Sequence, residues 1–213
     1  MANHCWNHAV FTGKEPKLKR LVTALEKTRK SFTEEHRELY DNHVWIYALN
    51  GHTILGTRPP KKDEAGGYDI DPYEVYGSKW FDCEWITNEF EGKLISVTLQ
   101  GSSAWSPMLP LFEKICKRID LDCYGNYEES GMDFAGEFTM NPEGMFEHVE
   151  MTYREYEAQN NPDCFWERII DNIEEGYFDS LEAVYKEFSD CGWILIDGEK
   201  EELSKVYNKH KQD

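Results

Sequence analysis

The run SAWSPMLPLFEKICKRIDLDCYGNYEESGMDFAG, Ser103–Gly136, switches its hydrophobic period from helical to extended within a few residues, and this constrains the fold more than any other feature. Ser106 is a favourable N-cap residue, and Pro107 suits the first helical position, where a missing N–H leaves nothing unsatisfied. Leu111, Phe112, Ile115, Cys116 and Ile119 follow with helical spacing, separated by Glu113, Lys114, Lys117 and Arg118. That is one apolar stripe facing a core. Leu121, Cys123, Gly125 and Tyr127 then alternate with Asp122, Tyr124 and Asn126, the period of a strand. Glu129-Ser130-Gly131 supplies a turn, and Phe134, Gly136 and Phe138 alternate again. Upstream, Ile95, Val97 and Leu99 mark a strand that Gly101 ends.

The same reading predicts a strand at 4–12 and a helix at 15–31, opened by Pro16 and lined by Leu18, Leu21, Val22 and Leu25. Further strands are predicted at 80–87 and 93–99. The order is strand, helix, strand, strand, helix, strand, the βαββαβ pattern of a ferredoxin-like antiparallel sheet in the α+β class. Both helices belong on one face of that sheet. Residues 32–79 form an insertion, with a helix expected at Glu34–Asp41, a short aromatic strand or buried turn at His43–Leu49, a loop at Thr57–Tyr68 and a helical turn from Asp71-Pro72. After the turn Asn141-Pro142-Glu143-Gly144, alternation at Val149, Met151 and Tyr153 adds a hairpin strand. A mainly helical extension over 156–213 then completes a two-part chain with the first domain at 1–155. Its helices are expected around Phe165–Ile173, after a cap at Asp179, and at Glu199–Asn208, with a short strand at Trp193–Ile196.

GSKWFD at 77–82, SAWSPMLPLFEKI at 103–115 and NYEESGMDFAGEF at 126–138 resemble the Api-ninety-two-like proteins, and MANHCWNHAVFTG at 1–13 looks like that family's opening strand. The resemblance covers about residues 1–140. It implies a ferredoxin-like domain carried by phages, plasmids and related bacterial elements, and it implies no catalytic residues and no ligand.

The net charge is −18, and its distribution is lopsided: residues 1–119 hold 16 acids and 16 bases, whereas residues 120–213 hold 25 acids and 7 bases. Such a field repels phosphate backbones and anionic membrane surfaces and attracts basic protein surfaces. No apolar run approaches the roughly 20 residues of a membrane span. Without a leader-like start, a cytoplasmic location in a bacterial host is expected. The six cysteines form no CxxC pair and read as free thiols.

Two sets of residues stand out as candidate sites. Glu167, Asp171, Glu174 and Glu175 fall between the apolar positions of a predicted helix and form an acidic face for a protein partner. Trp105 lies at a strand-to-helix junction, with Trp80, Tyr124 and Tyr127 as possible neighbours, and could line a groove with Tyr127, Glu128 and Asp133. The carboxylates Glu128, Glu129, Asp133 and Glu137 would suit acid–base work if burial split their pKa values. His4, Cys5 and His8 are ligand types for a transition metal, but strand geometry sends Cys5 to the opposite face from the two histidines. No nucleotide-binding, nucleophile-elbow or zinc-protease motif is present.

The expected function is therefore a non-enzymatic accessory protein that binds a host protein with a basic surface. It would act as an acidic, nucleic-acid-mimicking inhibitor of a defence or regulatory factor, with no cofactor and no direct nucleic-acid contact. A small-ligand-binding protein or enzyme using the Trp105 groove and acids 128–137, and a structural phage component, are the alternatives.

Overall fold

The computed structural model describes residues 4–29, 43–47, 51–61 and 69–211. Contacts divide the chain into two compact units, Met1–Glu150 and Met151–Asp213. The sequence reading puts the division at 155/156.

In the first unit, strand β1 (His4–Thr12) is followed by helix α1 (Glu15–Arg29), strand β2 (His43–Tyr47), short helices α2 (Gly51–Leu55) and α3 (Pro72–Tyr76), and strands β3 (Trp80–Phe90) and β4 (Lys93–Ala104). Helix α4 (Leu109–Ile119) and strands β5 (Asp122–Glu129), β6 (Phe134–Asn141) and β7 (Gly144–Met151) complete it. The sheet has seven strands in the order β2-β3-β4-β1-β5-β6-β7. Its middle, β3-β4-β1-β5, is antiparallel throughout and is the sheet of a ferredoxin-like α+β fold. The insertion contributes β2 to one edge and β6-β7 extend the other. The helix expected at Glu34–Asp41 and the later part of the Thr57–Tyr68 loop lie outside the described residues.

Both long helices pack on one face, the one to which alternate apolar residues of the strands point. Cys5, Asn7, Ala9 and Phe11 of β1 are buried, and three of them join a core with Leu18, Leu21 and Leu25 of α1 and Leu111, Phe112 and Ile115 of α4. Phe112 sits at the centre, 6.0 Å from Phe11, 5.8 Å from Phe81 and 5.8 Å from Phe138 between ring centroids. These are favourable aromatic separations.

Asn7 is the one polar member of that inward row, and it is fully buried. Its amide N–H groups donate to the Cys5 carbonyl at 2.9 Å and to Ser103 Oγ at 2.9 Å. Its Oδ1 accepts the Met108 N–H at 2.9 Å. This alters the expected start of α4. The N-cap is Met108, not Ser106, and the helix begins at Leu109 with Pro110 in its first turn. The Ser106 hydroxyl instead donates to the Gly77 carbonyl, while Asn7, distant in sequence, serves the helix's first free donor.

Other boundaries shift for local reasons. Strand β4 runs through Gly101 to Ala104 instead of ending there, paired on both sides with β1 and β3, and Gly101 (φ 156°) lies so close to Asp82 and Cys83 on β3 that a Cβ would overlap them. Tyr153 does not continue β7. Thr152 and Glu155 form a reciprocal capping box that turns the chain into helix α5 (Tyr153–Asn160).

The second unit adds helices α6 (Pro162–Glu174), α7 (Leu181–Asp190) and α8 (Asp197–His210). Ser180, not Asp179, caps α7 by accepting the Ala183 N–H at 3.1 Å. The strand expected at Trp193–Ile196 is absent, and α8 begins at Asp197. Trp193 instead packs on Phe165 and Phe188, each at 5.6 Å, and this ring cluster forms the unit's core.

Two variants test this packing. Phe112→Ala should cost about 3–5 kcal/mol, as for a core aromatic truncated to a cavity, measured by urea unfolding. Asn7→Ala leaves the Met108 N–H and the Ser103 hydroxyl short of a buried partner and should cost about 1–3 kcal/mol by the same assay.

Candidate functional site on the open face of the sheet

With the helices on one face, the residues of opposite parity line the other. On β1 these are Trp6, His8 and Val10; the register sets them against Glu128, Asn126 and Tyr124 of β5. Asn126 and Tyr124 in turn face Glu137 and Thr139 of β6. Of these, His8, Tyr124, Asn126, Glu137 and Thr139, with Glu147 and Val149 of β7, bound a groove of about 400 Å³.

The groove carries negative charge on a partly aromatic wall. Glu137 and Glu147 are exposed, and the Thr139 hydroxyl donates to Glu147 Oε2 at 3.3 Å, steadying that carboxylate. Tyr124 is 51% exposed and Trp6 43%. Burial holds the His8 imidazole below its ordinary pKa, so near neutral pH it brings no positive charge to the groove. Residues 120–150 contain nine acids (Asp120, Asp122, Glu128, Glu129, Asp133, Glu137, Glu143, Glu147, Glu150) and no lysine or arginine. An ammonium or guanidinium would find two carboxylates and a ring face there.

The residues predicted from sequence separate. Tyr127 and Glu128 are consecutive on β5 and point to opposite faces. Tyr127 is buried on the helix side, where its phenol lies 2.9 Å from His148 Nε2 and burial raises its pKa. Glu128 is half-buried on the open face, across from Trp6. Asp133 is in the β5–β6 turn with φ 54°. Trp105 follows the end of β4 at φ 71° and is 42% exposed. Trp105, Tyr127, Glu128 and Asp133 therefore do not form one groove. Glu129 is 4% exposed and accepts the turn N–H groups of Gly131 and Met132, a structural task that removes it from the acid–base set. Glu137 belongs to the open face, as does Tyr124.

His4 and His8 share one face of β1 and Cys5 the other. Among the described residues no three His, Cys, Asp or Glu side chains gather as metal ligands. All six cysteines are free; Cys164 is exposed, and burial pushes the Cys5 thiol up to about 12. In the second unit, Glu167, Asp171 and Glu174 lie one helical turn apart on the exposed side of α6, and Glu175 follows as its C-cap. None of the four is in an ion pair among the described residues. No helix among those residues is long and apolar enough to cross a membrane.

The sheet order and the paired helices define the class of protein: an α+β ferredoxin-like domain, extended at both edges. A family comparison agrees, with residues 80–167 matching the model of the ferredoxin-like domain in Api92-like protein. This is the family that the sequence motifs resemble. The match covers β3 through the first half of α6; the opening segment 1–13, which also resembles the family, lies outside it. The chain matches no curated protein and no solved structure.

The lowered pKa of His8 has a consequence for stability. Because the folded state binds its proton less readily than the unfolded chain, His8 favours folding least in acid. Stability should fall as pH drops below the unfolded value of about 6.5, until His8 is protonated in both states. His8→Gln should lessen the fall in melting temperature between about pH 7 and pH 5, the range that spans the unfolded histidine pKa.

Proposed function

We propose that this protein is a non-enzymatic binder of a basic protein surface, and that the acid-rich open face of β5-β6-β7 is its contact region. The observation that carries the reading is the exposed pair Glu137 and Glu147 in a groove beside Tyr124 whose lining, among the described residues, has no lysine or arginine, within a stretch, residues 120–150, that has none either. Basic side chains are steered to such a surface, and a guanidinium can pair with a carboxylate while stacking on a ring. In the mobile-element setting that the family resemblance implies, the partner is a host defence or regulatory factor whose basic surface ordinarily receives nucleic acid.

The exposed α6 stripe Glu167, Asp171 and Glu174 supports a second reading, in which the partner lies on the C-terminal unit. That unit also carries an excess of acid: its sixteen Asp and Glu against seven Lys and Arg give −9, and the nine unbalanced acids of 120–150 supply the other −9.

Affinity capture from bacterial lysate, followed by kinetics on the captured protein, separates the two readings. Glu137→Lys with Glu147→Lys should lower the on-rate about tenfold or more at low salt, and the wild-type on-rate should fall steeply as ionic strength rises. Reversal of Glu167, Asp171, Glu174 and Glu175 should have the smaller effect. A larger effect of the fourfold reversal moves the contact to α6; binding indifferent to salt and to both sets removes the acidic-surface reading.

A further inference from the structure

On the far side of the helix layer the charge is reversed. One stripe of α1, comprising Pro16, Lys19, Arg20, Thr23, Ala24 and Lys27, forms one wall of a cleft of about 330 Å³. Thr53 and Ile54 of α2 and Arg118 and Ile119 of α4 close it. Among the described residues the cleft is lined by four cations and no carboxylate, in a chain of net charge −18.

The cations are not equivalent. Lys19 is already in an ion pair with Glu15 at 2.7 Å. Arg118 is held in place, because its guanidinium donates to the Leu55 carbonyl and lies over Gly56, where φ is 54° and a Cβ would overlap it. A held guanidinium keeps other N–H groups to offer and loses little freedom on binding. Arg20 and Lys27 are exposed and have no ion-pair partner among the described residues. They are two turns apart on the same side of α1, with Thr23, whose hydroxyl donates to the Lys19 carbonyl at 2.9 Å, between them. The exposed Pro16 ring adds apolar surface, and Ile54 and Ile119 are buried beneath the cleft.

From this arrangement we infer that the cleft between α1, α2 and α4 binds a small phosphate-bearing anion. Arg20, Lys27 and Arg118 pair with the phosphate oxygens, and Thr53 supplies a hydroxyl donor. The size of the ligand follows from the cleft: about 330 Å³ contains a diphosphate or a phosphorylated metabolite, whose charges stay within reach of the local cations. The inference is independent of the acidic-face reading, since the two surfaces lie on opposite sides of the same sheet.

Calorimetric titration of the full chain with inorganic pyrophosphate at low ionic strength tests it. Pyrophosphate should bind, and Arg20→Glu with Lys27→Glu should weaken binding about tenfold or more, the loss expected when two charge-assisted contacts are removed. The neutral pair Arg20→Gln with Lys27→Gln serves as well if charge reversal disturbs folding. Lys200→Glu with Lys209→Glu changes net charge equally at exposed positions on the other unit and should leave affinity within about twofold if the effect is local. Absence of pyrophosphate binding, equal weakening by the Lys200/Lys209 pair, or tighter binding of a poly-glutamate peptide than of pyrophosphate would each overturn the inference.

Discussion

A single buried amide holds the first unit together where its two layers meet. Asn7 sits on the central strand β1 with no solvent exposure, so each of its hydrogen bonds forms in a low-dielectric setting where an unmade bond costs most. It joins β1 to β4 through Ser103 and to the start of α4 through the Met108 N–H. Around it, Ser103 donates to the Ser106 carbonyl at 2.6 Å, Ser106 donates to Gly77, and Ser78 donates to Ala104 at 2.5 Å. The β4–α4 connection and the approach to β3 are thereby tied to one point. The seating of α4 places Phe112 against Phe11, Phe81 and Phe138, and so fixes which face of the sheet is covered.

Covering one face leaves the other to the odd-and-even logic of the strands. Trp6, His8, Tyr124, Asn126 and Glu137 are open-face residues because Cys5, Asn7, Cys123, Tyr127 and Phe138 are not. The acids of β5-β6-β7 are divided by the same rule. Glu137 and Glu147 line the groove, while Glu129 is turned inward and closes the hairpin. An acidic run that reads as one cluster in the chain is two populations with different work in the fold. The basic residues of α1 obey the helical counterpart of this rule: Leu18, Leu21 and Leu25 are buried, and the positions beside them carry the cations of the cleft.

Much of the site was within reach of the sequence. Asn7 falls on the inward parity of Cys5, Ala9 and Phe11, and a polar residue in such a row signals a buried hydrogen-bonding role. Counting acids over 120–150 separately would have moved half the charge excess from the C-terminal helices to the sheet. The Thr152–Glu155 spacing is a capping-box signature, and it outweighs the alternation at Val149, Met151 and Tyr153 that favoured a longer strand. The groove proposed around Trp105 failed for another reason: adjacent residues on a strand cannot share a face, so Tyr127 and Glu128 were never candidates for one site.

The sequence by itself determined what short-range physics controls. Hydrophobic periods of two and of about 3.6, together with turn residues, set the strands and helices, their order and the ferredoxin-like arrangement, because each signal is complete within ten or so residues. Only the tertiary structure decided where β2 and β7 join the sheet, that Asn7 serves a helix about a hundred residues away, and that Arg118 meets Arg20 and Lys27 across a cleft. Those outcomes depend on pairings between distant segments, whose register and neighbours are settled by burial of the whole core and leave no local periodic trace.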